Sequence, residues 1–564
     1  MSTSTTARLM RRILPEVSLA KRVVSTSCSS RSARVAAVET LDIKRCPLHR
    51  TMESIEQLVQ SPIQSAERHA EPVDCQIESK STSAAQPFEA IPGPKGLPII
   101  GTLFDYFKKD GLRFDKMFEA YRQRSLEYGP IYKEKIGPLQ NVVISDPEIY
   151  SAVIRAETKT PIRREMEPMA HYRTKKGIGL GIVNSQGEEW YKYRSAVNKK
   201  MMVPKTIAEY CGSLGEVSDD FVTRLNYIRD DVNHEVPQLE KEIFKWAMES
   251  IGTLLFDERI GCLSNQPQKE AHAFIDNLQG CFVLQQPLMY NLPLYKYFPT
   301  KLWKAYEKYF DNVLTLGTHF VDKKVRAMQV SEENGETPDK ASFLTYLLSQ
   351  QSLSPSEAVE TAVELLMSAV ETTSNATVWC LYNLAKHPDV QSKMVTEINK
   401  ALPNNETLTA SKLSELPYVK SVLKETLRLF PITYATSRVL PADLEVAGYN
   451  IPKGTHVQAN LWKMYRDPQY FSDPESFKPE RWLRSENSGA NLTKQNGLLN
   501  LVWGHGSRMC LGRRFAEHEM HMALSKIVQN FQLGYNHDDV EPILMTVMTP
   551  DQPVKISFTP RASS

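Results

Sequence analysis

The chain has 564 residues, 41% of them hydrophobic, and a formal net charge of +2. It is long enough to bury a large core, as one big domain or several, and its balance excludes disorder throughout and a general affinity for nucleic acid. Its eight cysteines (Cys28, Cys46, Cys75, Cys211, Cys262, Cys281, Cys380 and Cys510) are scattered with no C-x-x-C pair, which argues against a disulfide framework or structural zinc and for a reducing compartment.

Residues 1–50 set Arg8, Arg11, Arg12, Lys21, Arg22, Arg31, Arg34, Lys44, Arg45 and Arg50 against only Glu16, Glu39 and Asp42. Serine and threonine are abundant, and Leu9, Met10, Ile13 and Leu14 alternate with arginines at helical spacing. Arg-rich, acid-poor and amphipathic is the pattern of a mitochondrial transit peptide; a disordered basic tail is the alternative. A secretory signal needs an apolar core, and none is present. Residues 51–90 turn polar and acidic, with Glu53, Glu56, Glu67, Glu71, Asp74 and Glu78, and read as a linker. The folded domain, 91–564, is expected to start at the turn-rich Ile91-Pro92-Gly93-Pro94-Lys95-Gly96-Leu97-Pro98. No apolar run reaches the ~18 residues of a transmembrane helix.

From about residue 110 helical periodicity dominates, with strand-like segments at 131–136, 141–145, 444–446 and 456–459 and a turn at Lys453-Gly454. The expected architecture is a single large domain, mainly α with small β-sheets. Trp190 and Arg194 are spaced i,i+4 on one helix face. The segment 271–326 is rich in aromatic and apolar residues, among them Phe274, Phe282, Leu284, Met289, Tyr290, Leu292, Leu294, Tyr297, Phe298 and Trp303. That content suits a bulky lipophilic ligand and ordinary core packing equally well. Ser354-Pro355-Ser356-Glu357 is a capping box with proline at the first helical position. The helix it opens stops at His387-Pro388, so at 1.5 Å per residue it spans about 45 Å, enough to cross the molecule.

In the middle of that helix, Ser368-Ala369-Val370-Glu371-Thr372-Thr373-Ser374 places a carboxylate and hydroxyls where they compete with the helix for backbone bonds. Locally disfavoured clusters mark function. Glu425 and Arg428 follow at i,i+3, a weak signal alone because exposed pairs contribute about 0.5 kcal/mol. Phe477-Lys478-Pro479-Glu480-Arg481-Trp482 precedes the loop Trp503-Gly504-His505-Gly506-Ser507-Arg508-Met509-Cys510-Leu511-Gly512-Arg513-Arg514, after which a helical pattern runs from Phe515 to Phe531. A cysteine at a helix N-terminus faces unpaired N–H groups and the positive end of the dipole, which favour a thiolate able to ligate iron.

This loop resembles the haem-binding loop of the cytochrome P-450 superfamily, F-x-x-G-x-R-x-C-x-G, at Gly506, Arg508, Cys510 and Gly512, with Trp503 in place of phenylalanine. The mid-helix cluster is similar to that family's (A/G)-G-x-(D/E)-T-(T/S) motif, with Ala369 where glycine is usual. The resemblance spans residues 92 to about 560, with the landmarks in family order. It implies the cytochrome P-450 fold, a haem b cofactor with Cys510 as the metal ligand, and Trp190, Arg194, Arg438 and Arg508 on its propionates. It implies that Thr372 and Glu371 deliver protons during cleavage of dioxygen, and that Glu425, Arg428 and Arg481 form a buried structural network.

The segments 188–205 and 510–517 resemble the mitochondrial class, which receives electrons from a small acidic ferredoxin of the adrenodoxin type and its NADPH-dependent reductase. By that resemblance the docking candidates are Lys420, Lys424, Arg513 and Arg514, and a plain solvated basic face is the other reading. Within the class the long helix looks most like vitamin D 24-hydroxylases and is compatible with other steroid hydroxylases. The expected function is therefore hydroxylation of a sterol-, steroid- or secosteroid-like substrate on the matrix side of the inner membrane, with peripheral association and no nucleic-acid partner. Monooxygenation of xenobiotics or other lipids, a thiolate-haem isomerase needing no external electrons, and a haem carrier without turnover are the alternatives.

Overall fold

A computed structural model describes residues 85–561 apart from 109–110, 138, 267, 335–341, 404–405, 484–494 and 496. The transit peptide expected over 1–50 and most of the 51–90 linker lie outside the described residues. The chain joins the fold slightly ahead of residue 91: Gln86 donates to the Gly448 carbonyl at 2.8 Å and accepts from Asn450 at 2.8 Å.

Helices dominate. Those longer than eight residues are α1 (Met117–Tyr128), α2 (Pro147–Arg155), α3 (Glu167–Lys176), α4 (Gly187–Met201), α5 (Cys211–Ile228), α6 (Leu239–Phe256), α7 (Lys269–Tyr290), α8 (Lys301–Glu333), α9 (Pro355–Lys386), α10 (Pro388–Ala401), α11 (Pro417–Leu429) and α12 (Arg513–Asn530). Strands are short: β1 (Ile131–Ile136), β2 (Leu139–Ile144), β3 (Ala435–Val439), β4 (Leu444–Val446), β5 (Tyr449–Ile451), β6 (His456–Asn460), β7 (Phe531–Gly534), β8 (Pro542–Met545), β9 (Val547–Pro550) and β10 (Ser557–Pro560). One sheet has the order β1-β2-β6-β3, with β2 and β6 parallel and the outer pairs antiparallel; the others are two-stranded. Arg438 sits on β3 opposite Val457, so the sheet fixes where its side chain leaves the backbone.

Helix α9 is the axis of the molecule. Its capping box is formed: Glu357 N–H donates to Ser354 Oγ at 3.3 Å, and Ser354 N–H to Glu357 Oε2 at 2.8 Å. At 32 residues it is about 48 Å long. Its N-terminal half packs in one apolar cluster through Val363, Leu366 and Val370, and its C-terminal half in a second through Val378, Trp379 and Leu381. Between Ala358 and Ala385 every residue is buried except Ser368, Ala369 and Thr372. A helix enclosed all round that keeps accessible surface on one short strip borders an interior space at that strip.

Behind α11 lies a buried ionic network. Glu425 and Arg428 have fully buried side chains and pair bidentately at 2.8 and 3.0 Å. Arg428 also donates to the carbonyls of Tyr465, Pro474 and Ser476. Glu425 accepts from Arg481 Nε, Trp482 Nε1 and Lys478 N–H, each at 2.9 Å. The Glu425 charge is thus met by protein groups alone, which is what a buried charge requires, and Arg481 Nη2 is left without a partner. No helix among the described residues is long and apolar enough to cross a membrane.

Candidate active site

The segment around Cys510 is held from several directions. Cys510 N–H donates to the Trp503 carbonyl at 2.5 Å, closing the loop on itself. Gly506 has φ +56°, and a Cβ there would lie 2.3 Å from the Glu157 carboxylate oxygens, so only glycine fits. Glu157, at the end of α2, accepts from Ser507 N–H at 3.1 Å and meets His505 Nδ1 at 2.8 Å. The other nitrogen of that ring meets the Tyr150 hydroxyl at 3.1 Å. Burial opposes ionisation of Glu157, but His505 and the Arg438 charge outweigh it and hold the carboxyl below its usual range.

Cys211, Cys262, Cys281 and Cys380 are buried, whereas Cys510 is exposed. It nevertheless lies deep in the molecule, so its surface faces an interior space. The expected thiolate bias is present but outweighed. Burial raises the Cys510 pKa, against N–H bonds from Gly512 and Arg513 and the charges of Arg194 and Arg513. A metal at the sulfur reverses this, because coordination deprotonates a thiol outright.

Beside the sulfur the structure gathers cations. Arg508 is buried, with its guanidinium 4.0 Å from the Trp190 ring centroid. It donates to the carbonyls of Pro161 and Ser185 and to Gln186 Oε1 at 2.8–2.9 Å. Arg438 donates to the His505 carbonyl at 2.6 Å and approaches Glu157 at 3.3 Å. Arg194 lies 6.0 Å from the same Trp190 ring. Burial, and then the charges of Arg163, Arg438 and Arg194, push Arg508 down to about 9; burial and Arg163 push Arg194 down to about 10. Arginine stays charged at neutral pH, so these depressions reflect burial first and then mutual repulsion of the cations, which Glu157 offsets only in part. Arg194 Nε, Arg438 Nε and Arg508 Nη1 are buried without a hydrogen-bond partner. Sequence reasoning missed Arg163, Glu157 and His505: the Arg163-Arg164 dipeptide has no periodicity to mark it, and Glu157 meets His505 across 348 residues of chain.

On α9 the Thr372 hydroxyl donates to the Ser368 carbonyl at 2.7 Å. Glu371 is buried, accepts from Asn375 at 3.2 Å, and leaves Oε2 without a partner. Burial pushes its pKa up to about 8. One residue on, Thr373 donates to Glu519 Oε1 of α12 at 3.1 Å; burial raises Glu519 well above the carboxylate range as well.

Lys420 and Lys424 of α11 and Arg513 of α12 come together within electrostatic range of Glu517, and Arg513 also bonds it at 3.1 Å. Arg514 is exposed next to them. The apolar 271–326 segment divides: Phe274, Leu284 and Trp303 are core, whereas Leu292, Leu294, Tyr297 and Phe298 are exposed.

A haem asks for an axial donor to iron and for cationic or N–H partners to two propionates. An accessible cysteine beside guanidinium groups with orphaned N–H atoms is a donor set that fits it. The comparisons agree. The sequence matches the model of the Cytochrome P450 family over residues 91–558. It is 52% identical to Cytochrome P450 10 of Lymnaea stagnalis over 552 residues, 97% of each chain. It is 32% identical to the mitochondrial 1,25-dihydroxyvitamin D(3) 24-hydroxylase of Rattus norvegicus, covering 84% of this chain and 89% of that one. It is also 32% identical to the mitochondrial sterol 26-hydroxylase of the same species, covering 84% and 88%. The chain belongs to the cytochrome P450 family, in its mitochondrial class. It is a monooxygenase whose cofactor is haem.

Proposed function

We propose that this protein hydroxylates a lipophilic sterol-, steroid- or secosteroid-like substrate in the mitochondrial matrix, with Cys510 ligating the haem iron and Trp190, Arg194, Arg438 and Arg508 holding its propionates. The observation that carries the reading is the pairing of an accessible, deeply placed cysteine with three arginines that each keep one buried N–H without a protein partner. When bound, haem supplies the iron centre at which dioxygen is reduced and cleaved. One oxygen atom enters a C–H bond as hydroxyl and the other leaves as water, consuming two electrons and two protons.

Glu371 is suited to hold one of those protons. With its pKa near 8 it is mostly protonated at neutral pH, and its unpartnered Oε2 is free to pass a proton on. Thr372 stands on the accessible strip of α9, where its hydroxyl can leave the Ser368 carbonyl and orient a water. The basic ridge of Lys420, Lys424, Arg513 and Arg514 is the docking surface for an acidic ferredoxin. Leu97, Ile99, Phe104 and Phe107, and likewise Leu292, Leu294, Tyr297 and Phe298, are exposed. These apolar residues support peripheral seating on the inner membrane. Residues 1–50 are the transit peptide in this reading.

The test is turnover of a sterol and steroid panel with ferredoxin and its reductase. Product that requires both, and hydroxylation as the change, is the expected result. Product that survives omission of the ferredoxin removes the electron-transfer assignment, and no product from any lipophile leaves a haem carrier. Deleting residues 1–50 should send the protein to the cytosol; retention in mitochondria contradicts the targeting reading.

A further inference from the structure

Among the described arginines that are not exposed, only Arg194 and Arg164 have neither a hydrogen bond nor an ion pair to the protein. Arg194 belongs to the cation group beside Cys510. Arg164 does not, although it follows Arg163 in the chain. Its electrostatic neighbours are Glu167, Tyr290 and Tyr121, with neither Cys510 nor any arginine of the haem site among them. Glu167 is already bonded by Lys296. A half-buried guanidinium with no carboxylate bonded to it is costly unless something else neutralises it.

The groups within electrostatic range of Arg164 belong to a polar cluster. The Tyr290 and Tyr434 hydroxyls are 3.3 Å apart, with Tyr290 at the end of α7 and Tyr434 just before β3. Tyr121 of α1 packs edge-on to Tyr434 and donates to Gln458 Oε1 at 2.9 Å. Asn141 reaches the Tyr121 hydroxyl at 3.5 Å and meets His456 at 2.8 Å, leaving His456 Nε2 buried without a partner. Tyr290 lies deep in the molecule yet keeps accessible surface, the same signature that Cys510 carries, so it lines an interior space. The helix to which it belongs brings Cys281 within electrostatic range of Glu371 on α9.

We infer that Arg164, with the Tyr290–Tyr434 hydroxyl pair, forms a head-group subsite for an anionic oxygen group, carboxylate or sulfate ester, on the lipophilic substrate. This deepens the monooxygenase reading and rests on it. The cation supplies charge-assisted hydrogen bonds and the Tyr290–Tyr434 hydroxyl pair supplies one further donor, so one end of the substrate is fixed while its hydrocarbon body extends toward the accessible strip of α9.

The experiment is a substrate-induced haem-spectrum titration of the holoenzyme with two matched pairs: cholesterol sulfate against cholesterol, and a C24 sterol carboxylate against its methyl ester. The two arms separate a sulfate at the ring end from a carboxylate at the side-chain end. In the native enzyme at least one anion should bind about tenfold or more tighter than its neutral partner. In Arg164→Gln that preference should vanish while the neutral partner's affinity and the reduced carbon-monoxide spectrum stay unchanged, and Arg164→Lys should restore part of it. Equal affinity for anion and neutral partner in the native enzyme overturns the subsite and leaves the monooxygenase reading intact. A preference that persists in Arg164→Gln, or an Arg164→Gln protein that loses haem, also overturns it. A native enzyme that responds to none of the four overturns the sterol reading itself.

Discussion

Two groups of buried arginines stand in contrast. Behind α11, Arg428 and Arg481 share Glu425, joined by three backbone carbonyls and the Trp482 indole. Beside Cys510, Arg194 and Arg438 lie within electrostatic range of Arg508, and each of the three keeps an N–H without a partner. Both groups are buried and both are cationic, and Arg481 also keeps one orphaned N–H, so neither burial nor a single unmet donor marks a site. The difference is the counter-charge: Glu425 bonds both arginines behind α11, whereas beside Cys510 a carboxylate, Glu157, approaches Arg438 alone. A network closed on its own carboxylate holds the fold; cations in excess of carboxylates are shaped for an anionic group from outside.

The largest effect that sharpens this contrast is expected behind α11. Arg428→Ala strands Glu425 in the interior and should cost about 3–5 kcal/mol, seen as loss of folded protein with or without haem. Arg508→Gln should cost the apoprotein less, because the three hydrogen bonds it loses are offset in part by relief of repulsion among the cations, while haem transfer to apomyoglobin becomes about tenfold faster. An Arg508→Gln apoprotein that loses as much stability as Arg428→Ala would break the comparison.

Next in size is Glu371→Gln, which should lower turnover on the order of 10²-fold by removing a proton donor. It should also change the pH dependence of stability. With a folded pKa of about 8 against an ordinary 4.5, the folded protein keeps a proton that the unfolded chain releases, so stability falls as pH rises through that window. Thermal midpoints between pH 5 and pH 8 should therefore decline less in Glu371→Gln than in the native enzyme. Glu360, raised to about 7 mainly by burial, stays in place in that variant and keeps part of the slope. An unchanged slope would show that Glu371 is already ionised in the folded state. Smallest is the docking ridge: Lys420→Gln with Lys424→Gln should raise the KM for ferredoxin several-fold and weaken its salt dependence, with haem spectra unaltered.

Much of this was legible before the fold was known. Helix α9 announced both ends through Ser354-Pro355-Ser356-Glu357 and His387-Pro388 because caps and breakers are local chemistry. Strands β1 and β2 showed as short strand-like segments. Strand β3 did not, because Ala435–Val439 mixes threonine, serine and arginine and is recognisable only by its pairing with β6. The Cys510 loop and the Glu371-Thr372 pair were legible as motifs. Glu157, Arg163 and Arg164 were not, since their meaning comes from neighbours far along the chain. The thiolate expectation read the helix terminus correctly and omitted burial, a tertiary quantity that outweighs it in the absence of a metal.

The most direct test is the reduced, carbon-monoxide-bound spectrum of Cys510→Ser beside the native enzyme. Ligation through this sulfur predicts a red-shifted thiolate band in the native protein and its loss in the variant, with haem still bound by the arginine cradle. A variant that keeps the red-shifted band would contradict Cys510 as the ligand.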